Sequence, residues 1–160
     1  MHQTAAIFEE LGFEAKAVQL PEGAIVYAVA RTYNLVMRQL AAAYRRFGLS
    51  APGFNLLLLL RRGKDPEAFT QRCIGQRLVV SPSDMSGLID RMEARGLVRR
   101  APGKDRRSHL LRITPKGSAL VERVWPLHVE AVSRMTRGIS RRDADALLRV
   151  LAQVRRSMGI

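Results

Sequence analysis

The side chains in this sequence best placed to do chemistry are cations. Between residues 91 and 116 stand Arg91, Arg95, Arg99, Arg100, Lys104, Arg106, Arg107, Arg112 and Lys116, opposed only by Glu93 and Asp105. Guanidinium forks and ammonium groups at that density bind phosphate or carboxylate oxygens. The 160-residue chain shares the bias, with 27 Lys and Arg against 14 Asp and Glu and a formal net charge of +13. Such an excess favours a polyanionic partner, either nucleic acid or an anionic membrane surface, although a basic run alone is equally a solvated face. Residues 1–26 lean the other way, with Glu9, Glu10, Glu14 and Glu22 against Lys16.

Other chemistries find little support. His2, His109 and His128 are scattered, with no Asp, Glu or Cys at ligand spacing, so no metal and no other cofactor is expected. No Ser-His-Asp arrangement, phosphate-cradling glycine loop or pair of carboxylates for acid–base work is present, so the chain does not read as an enzyme. The single cysteine, Cys73, rules out an internal disulfide. The start of the chain lacks the pattern of a signal peptide and no apolar run reaches about 18 residues, so a cytoplasmic location without a membrane span is expected.

The cations must be positioned by the elements around them. Ser81 is a natural N-cap, Pro82 suits the first helical position, and Asp84 sits where a capping-box acid belongs. Met85, Leu88, Ile89 and Met92 then recur at helical spacing, and Gly96 can end the helix in a left-handed conformation. Ser83, Asp84, Ser86, Gly87, Asp90 and Arg91 make up the opposite, short or polar face, which a surface could approach closely. Leu97 to Arg100 and His109 to Thr114 read as two strands around a turn at Pro102–Asp105. With a short helix over about 69–78 before it, the pattern is a helix-turn-helix followed by a basic hairpin, which suggests DNA.

The rest of the chain is helical. Residues 4–12 predict a short helix capped by Thr4 and closed by Gly12, followed by an extended connector over about 13–21. Residues 22–47 predict a long helix, with Val26, Val29, Tyr33, Val36, Met37, Leu40, Tyr44 and Phe47 in a three-four rhythm and Gly48 as its stop. Ser50 caps a helix whose run Leu56–Leu60 is apolar on every side and therefore central. From Lys116 a buried stripe of Ala119, Leu120, Val124, Leu127, Val132 and Met135 passes Pro126, where a bend is expected. Ser140 and Asp143 open a last helix with Leu147, Leu148, Leu151 and Val154 on its apolar face.

In this order of elements the chain resembles the MarR family of winged helix-turn-helix transcription regulators. The resemblance rests on Asp105-Arg106-Arg107, Leu111 and Ile113-Thr114-Pro115-Lys116-Gly117. These follow the family's D-x-R wing signature and its leucine-threonine-x-x-glycine ending, with Ile113 in place of leucine. Leu88 to Val98 matches the exit of the family's recognition helix. The match covers about residues 22–158, leaving 1–21 as an N-terminal arm. It implies a mainly α fold with a small β-hairpin wing. A winged core over about 50–115 would be flanked by N- and C-terminal dimerisation helices over about 22–47 and 116–158.

The resemblance further implies a homodimer that binds an inverted repeat in double-stranded DNA, most simply as a repressor released by a small aromatic or phenolic ligand. Ser81, Ser83, Asp84, Ser86, Gly87, Arg91, Arg99, Arg100, Lys104, Arg106 and Arg107 are the expected DNA-binding residues. Asp105 and Arg107, two apart on an extended chain, would pair and shape the wing tip while Arg106 enters the minor groove. Asp84 departs from the family's neutral residue and serves either as a cap or as an acceptor from a cytosine amino group. Val79 departs from a glycine often found in that turn. Tyr27, Arg31, Tyr33, Phe54 and Trp125 would line the ligand pocket. Two alternatives stay open: an architectural DNA-coating protein without an effector, and an oxidant sensor using Cys73, which has Arg72 and Arg77 nearby in sequence.

Overall fold

A computed structural model of the protein describes residues 2–12, 23–63, 69–78, 82–103 and 109–159. Among the described residues, seven α-helices and one antiparallel ribbon follow in chain order: α1 (His2–Glu10), α2 (Ala24–Tyr44), α3 (Ala51–Arg62), α4 (Gln71–Leu78), α5 (Pro82–Ala94), β1 (Val98–Pro102), β2 (His109–Ile113), α6 (Pro115–Met135) and α7 (Arg141–Ser157). The mainly α fold with a hairpin wing is as expected. The connector, the turn holding Val79, the cap position Ser81 and the wing tip from Lys104 to Ser108 lie outside the described residues.

Local chemistry sets most of the boundaries. A 3₁₀ turn over Arg45–Phe47 extends α2, and Gly48 ends it at φ +62°, a conformation open to glycine at little cost. The Ser50 hydroxyl accepts from the Gly53 amide at 3.2 Å to start α3. Gly96, at φ +67°, closes the exit of α5. The Ser140 hydroxyl accepts from the Asp143 amide at 3.2 Å and donates to its carboxylate at 2.6 Å, so the predicted pairing opens α7. Two expectations need correction. Thr4 lies inside α1, which begins at His2, and so is not its cap. Phe69 and Thr70 are not helical: Leu111 donates to the Phe69 carbonyl at 2.8 Å and Thr70 bridges Leu110, so this segment flanks the ribbon.

The core lies where α3 crosses beneath α2, α5 and α6. Leu56 and Leu57 are fully buried, as an all-round apolar helix requires, with Tyr44, Phe54, Ile74, Ile89, Val121 and Val124 around them. Each such side chain contributes about 1.5–3 kcal/mol on burial. Met85, Leu88, Ile89 and Met92 are all buried, so the stripe predicted for α5 is its inner face. Arg61 of α3 reaches α6 twice, in an ion pair with Glu122 and a hydrogen bond to Ser118. Helix α6 runs through Pro126 without ending.

Apolar surface is also left uncovered. Val26, Val29 and Tyr33 on α2 are 64%, 45% and 51% exposed, and Leu147 and Leu148 on α7 are 55% and 60% exposed. No residue of α7 is buried. Scattered exposed leucines are ordinary, but a whole amphipathic helix with its apolar side in water is not.

Candidate nucleic-acid interface

Helix α5 is held from three sides, and this determines what its outer face can meet. Its apolar side seats on the core. At its first turns, the Gln71 amide of α4 donates to the Ser86 hydroxyl at 2.6 Å, fixing the angle between the two helices of the helix-turn-helix. At its exit, Gly96 turns the chain into β1, and Thr114 closes the junction by donating to the Gly96 carbonyl at 2.7 Å. The same Thr114 oxygen accepts from the Gly117 amide at 3.0 Å and so caps α6. One threonine thereby joins α5, the ribbon and the long helix α6 behind them.

What remains outward on α5 is Ser83, Asp84, Asp90 and Arg91, all exposed. Small side chains there let the backbone approach a groove, and Arg91 adds a cation with no carboxylate partner among the described residues. Gly87 is half-buried, and a Cβ there would sit 3.2 Å from Arg91 Nη1, so its smallness serves the arginine beside it. On the ribbon, Arg99 is exposed and stands opposite Arg112 in the strand register.

Arg100 has an internal role that the sequence reading did not give it. Its guanidinium pairs with Asp90 at 2.6 Å and also with Glu93, while its own amide donates to Glu93 at 3.0 Å. The hydrogen bond to Asp90 heads the interactions that raise its pKa above the ordinary arginine value. Alternation along β1 turns Arg100 back onto α5 while Arg99 faces out, so Arg100 clamps the wing to the reading helix. Ser86, half-buried and engaged by Gln71, is likewise a helix-to-helix contact. Lys104, Asp105, Arg106 and Arg107 lie outside the described residues.

A helix-turn-helix with an outward polar helix and a basic ribbon has close counterparts. The profile of the MarR family matches residues 47–108. The HTH-type transcriptional regulator PecS of Dickeya dadantii (strain 3937) is 30% identical over 135 residues, covering 84% of this chain and 81% of that protein. The chain belongs to the MarR family of DNA-binding transcription regulators. Among solved structures, a MarR-family regulator from Silicibacter pomeroyi is 31% identical, with a TM-score of 0.69 over 83% of this chain and 88% of its own. The transcriptional repressor CouR, solved bound to a 23-mer DNA duplex, is 32% identical, with a TM-score of 0.68 over 80% of this chain and 89% of its own.

The five residues expected around a ligand separate into two pairs and a lone Tyr33 in this MarR-family chain. Tyr27 and Arg31 turn towards α1: Tyr27 packs edge-on to Phe8 at 5.7 Å and Arg31 pairs with Glu10 at 2.9 Å. Tyr33 is exposed farther along α2. Phe54, expected among the pocket residues, is fully buried in the core. It lies against His128, which in turn stacks on Trp125 at 5.3 Å, and the Arg62 guanidinium covers the Trp125 ring at 4.0 Å. Cys73 is half-buried on α4, and no group of metal-ligating side chains occurs among the described residues. No described helix is long and apolar enough to cross a membrane.

Sequence reasoning missed the hub of this aromatic group. Tyr44 Oη and His128 Nδ1 share a hydrogen bond of 2.6 Å that joins α2 to α6 across 84 residues. A histidine on a helix gives no signal of so distant a partner. Burial pushes the Tyr44 hydroxyl up to about 12 and holds the His128 imidazole below the ordinary histidine range. As pH falls, the unfolded chain therefore takes up the proton first, so the stability tied to the neutral ring is complete above about pH 6.5 and is lost below it. Thermal unfolding between about pH 7.5 and 5.5 is expected to show this decline, and His128→Gln to flatten it. An identical slope in the variant would assign the decline to other groups.

Proposed function

We propose that the protein is a homodimeric repressor that binds an inverted repeat and leaves it when a small aromatic or phenolic acid binds. The observation that carries this reading is the uncovered apolar side of α7, together with the exposed Val26 and Val29 of α2. A second copy covering those faces brings two reading helices into one assembly. Two-fold symmetry in the protein then calls for two-fold symmetry in the DNA, with half-sites spaced by about 10–10.5 base pairs or a multiple. Ser83, Asp84 and Arg91 would meet base edges and phosphates, with Arg99, Lys104, Arg106 and Arg107 on the flanking backbone and minor groove. Asp84 retains both of its readings, as a cap and as an acceptor.

For the releasing ligand, the support is the cation beside an aromatic face at Arg62 and Trp125, a pairing suited to a ring that bears a carboxylate. Binding there, next to His128 and the core under α3, would shift α6 against α3 and change the distance between the two heads.

The test is a footprint on DNA flanking the protein's own gene, with bulk DNA as competitor and a panel of aromatic acids. Preference for one site over bulk DNA is expected; equal affinity would favour a DNA-coating protein instead. If about 6–10 phosphates are neutralised, affinity should fall roughly 10³–10⁵-fold between about 50 and 200 mM salt. Arg106→Ala should lose protection at the flanks while keeping the centre, and an unchanged footprint would remove Arg106 from the minor groove.

A further inference from the structure

Past the exit of α5, the described residues form a second concentration of positive charge, built from residues assigned neither to DNA nor to the aromatic group. A cleft of about 480 Å³ opens between the 3₁₀ turn after α2, the exit of α5 and the first turns of α6. Arg46, Arg95, Lys116 and Arg123 stand in its wall with no carboxylate among the lining residues, and Phe47, Leu97 and Leu120 supply apolar surface. Its size lies within the range of about 300–1,000 Å³ usual for small-molecule sites.

The four cations are arranged in two pairs. The Arg46 and Arg123 guanidinium carbons lie 5.0 and 5.5 Å from the centre of the Phe47 ring, so one aromatic platform gathers two arginines from different elements. Both are exposed, and neither has a carboxylate partner among the described residues. Arg95 and Lys116 are tied to backbone carbonyls instead. Arg95 donates to the Phe47 carbonyl at 2.9 Å and the Gly48 carbonyl at 2.5 Å, and the Lys116 ammonium donates to the Arg95 carbonyl at 2.8 Å. Carbonyls satisfy these donors without neutralising them, so the like charges still repel across the cleft. An anion with several negative oxygens would relieve that repulsion at all four.

Arg95 lies twelve residues and about 18 Å beyond Ser83 but only four residues beyond the outward Arg91, so the cleft borders the far end of that face and DNA is the competing occupant that the test below separates. We propose that this cleft binds a small organic anion of multiple charge. Arg46 and Arg123 take its phosphate or carboxylate oxygens against the Phe47 platform, and Arg95 and Lys116 form the fixed rear wall. Because the walls come from α2, α5 and α6, an occupant would also tie the exit of the reading helix to both long helices. Binding here requires no DNA, so it stands or falls separately from the operator reading.

Calorimetric titration of the full chain with pyrophosphate and with citrate tests the site, and the tighter of the two identifies phosphate or carboxylate as the preferred group. Saturable binding of one anion per chain is expected. Arg46→Ala/Arg123→Ala, two surface changes, should weaken it at least about tenfold through loss of two charge-assisted contacts. Arg141→Ala/Arg142→Ala removes the same charge from the exposed start of α7 and should leave it unchanged. Unsaturable heats, or equal losses in the two double variants, would reduce the binding to the general attraction of a basic surface and overturn the site. Loss of anion-free DNA binding in Arg46→Ala/Arg123→Ala, as large as that in Arg91→Ala, would overturn it by assigning the cleft to DNA.

Discussion

Gly117→Ala is expected to destabilise the protein by about 3 kcal/mol or more, well beyond the ordinary effect of a single methyl group. A Cβ at Gly117 would fall inside van der Waals distance of the Leu97 carbonyl oxygen and 3.0 Å from Ile113 Cγ1. The first of these is backbone and cannot swing aside. That carbonyl also accepts from the Thr114 amide at 3.1 Å. Moving α6 away to make room therefore breaks the junction between the reading helix, the ribbon and α6. Gly138→Ala is the comparison: it has φ +85° but no atom within 4 Å, so only backbone strain of about 1–2 kcal/mol applies. Urea midpoints at unchanged slope should separate the two variants clearly. Equal midpoints would mean that the packing at Gly117 relaxes freely.

The second large effect is expected from Leu147→Asp/Leu148→Asp. Both leucines are exposed on a helix without a buried residue, so the single chain should lose little stability. A dimer that covers this face would instead bury two unpaired carboxylates per chain, a heavy desolvation cost. Sedimentation should then give a monomer. Affinity for a two-half-site DNA should fall roughly 10²–10⁴-fold, because each head binds without the effective concentration supplied by its partner. A variant that still sediments as a dimer would move the interface off α7. A monomer with undiminished DNA affinity would argue that one head suffices.

The two substitutions probe opposite sides of what the sequence reveals. Glycine in Thr-Pro-Lys-Gly announces itself as a motif, yet its reason is a contact with Leu97, twenty residues back. The α7 leucines announce a buried face, yet nothing in a single chain buries them.

Short-range order was readable over most of the described residues, with Thr4 and the Phe69–Thr70 segment as exceptions. Helical periodicity picked out Met85, Leu88, Ile89 and Met92 as an inner face, and all four are buried. Ser50, Gly48, Gly96 and the Ser140–Asp143 pair marked helix ends, because capping and positive φ depend only on neighbours a few residues away. The wing residues around Thr114 identified the family before any coordinate. Tertiary structure alone decided the use of each charge and ring. Arg100 pairs with Asp90 and Glu93, Phe54 is buried in the core, and Tyr44 meets His128 across 84 residues. Arg46 and Arg123 are gathered on one phenylalanine by the crossing of α2 and α6. Backbone periodicity is a local property and is written in consecutive residues. The partner of a long polar or aromatic side chain depends on which helices cross, and no spacing along the chain records that.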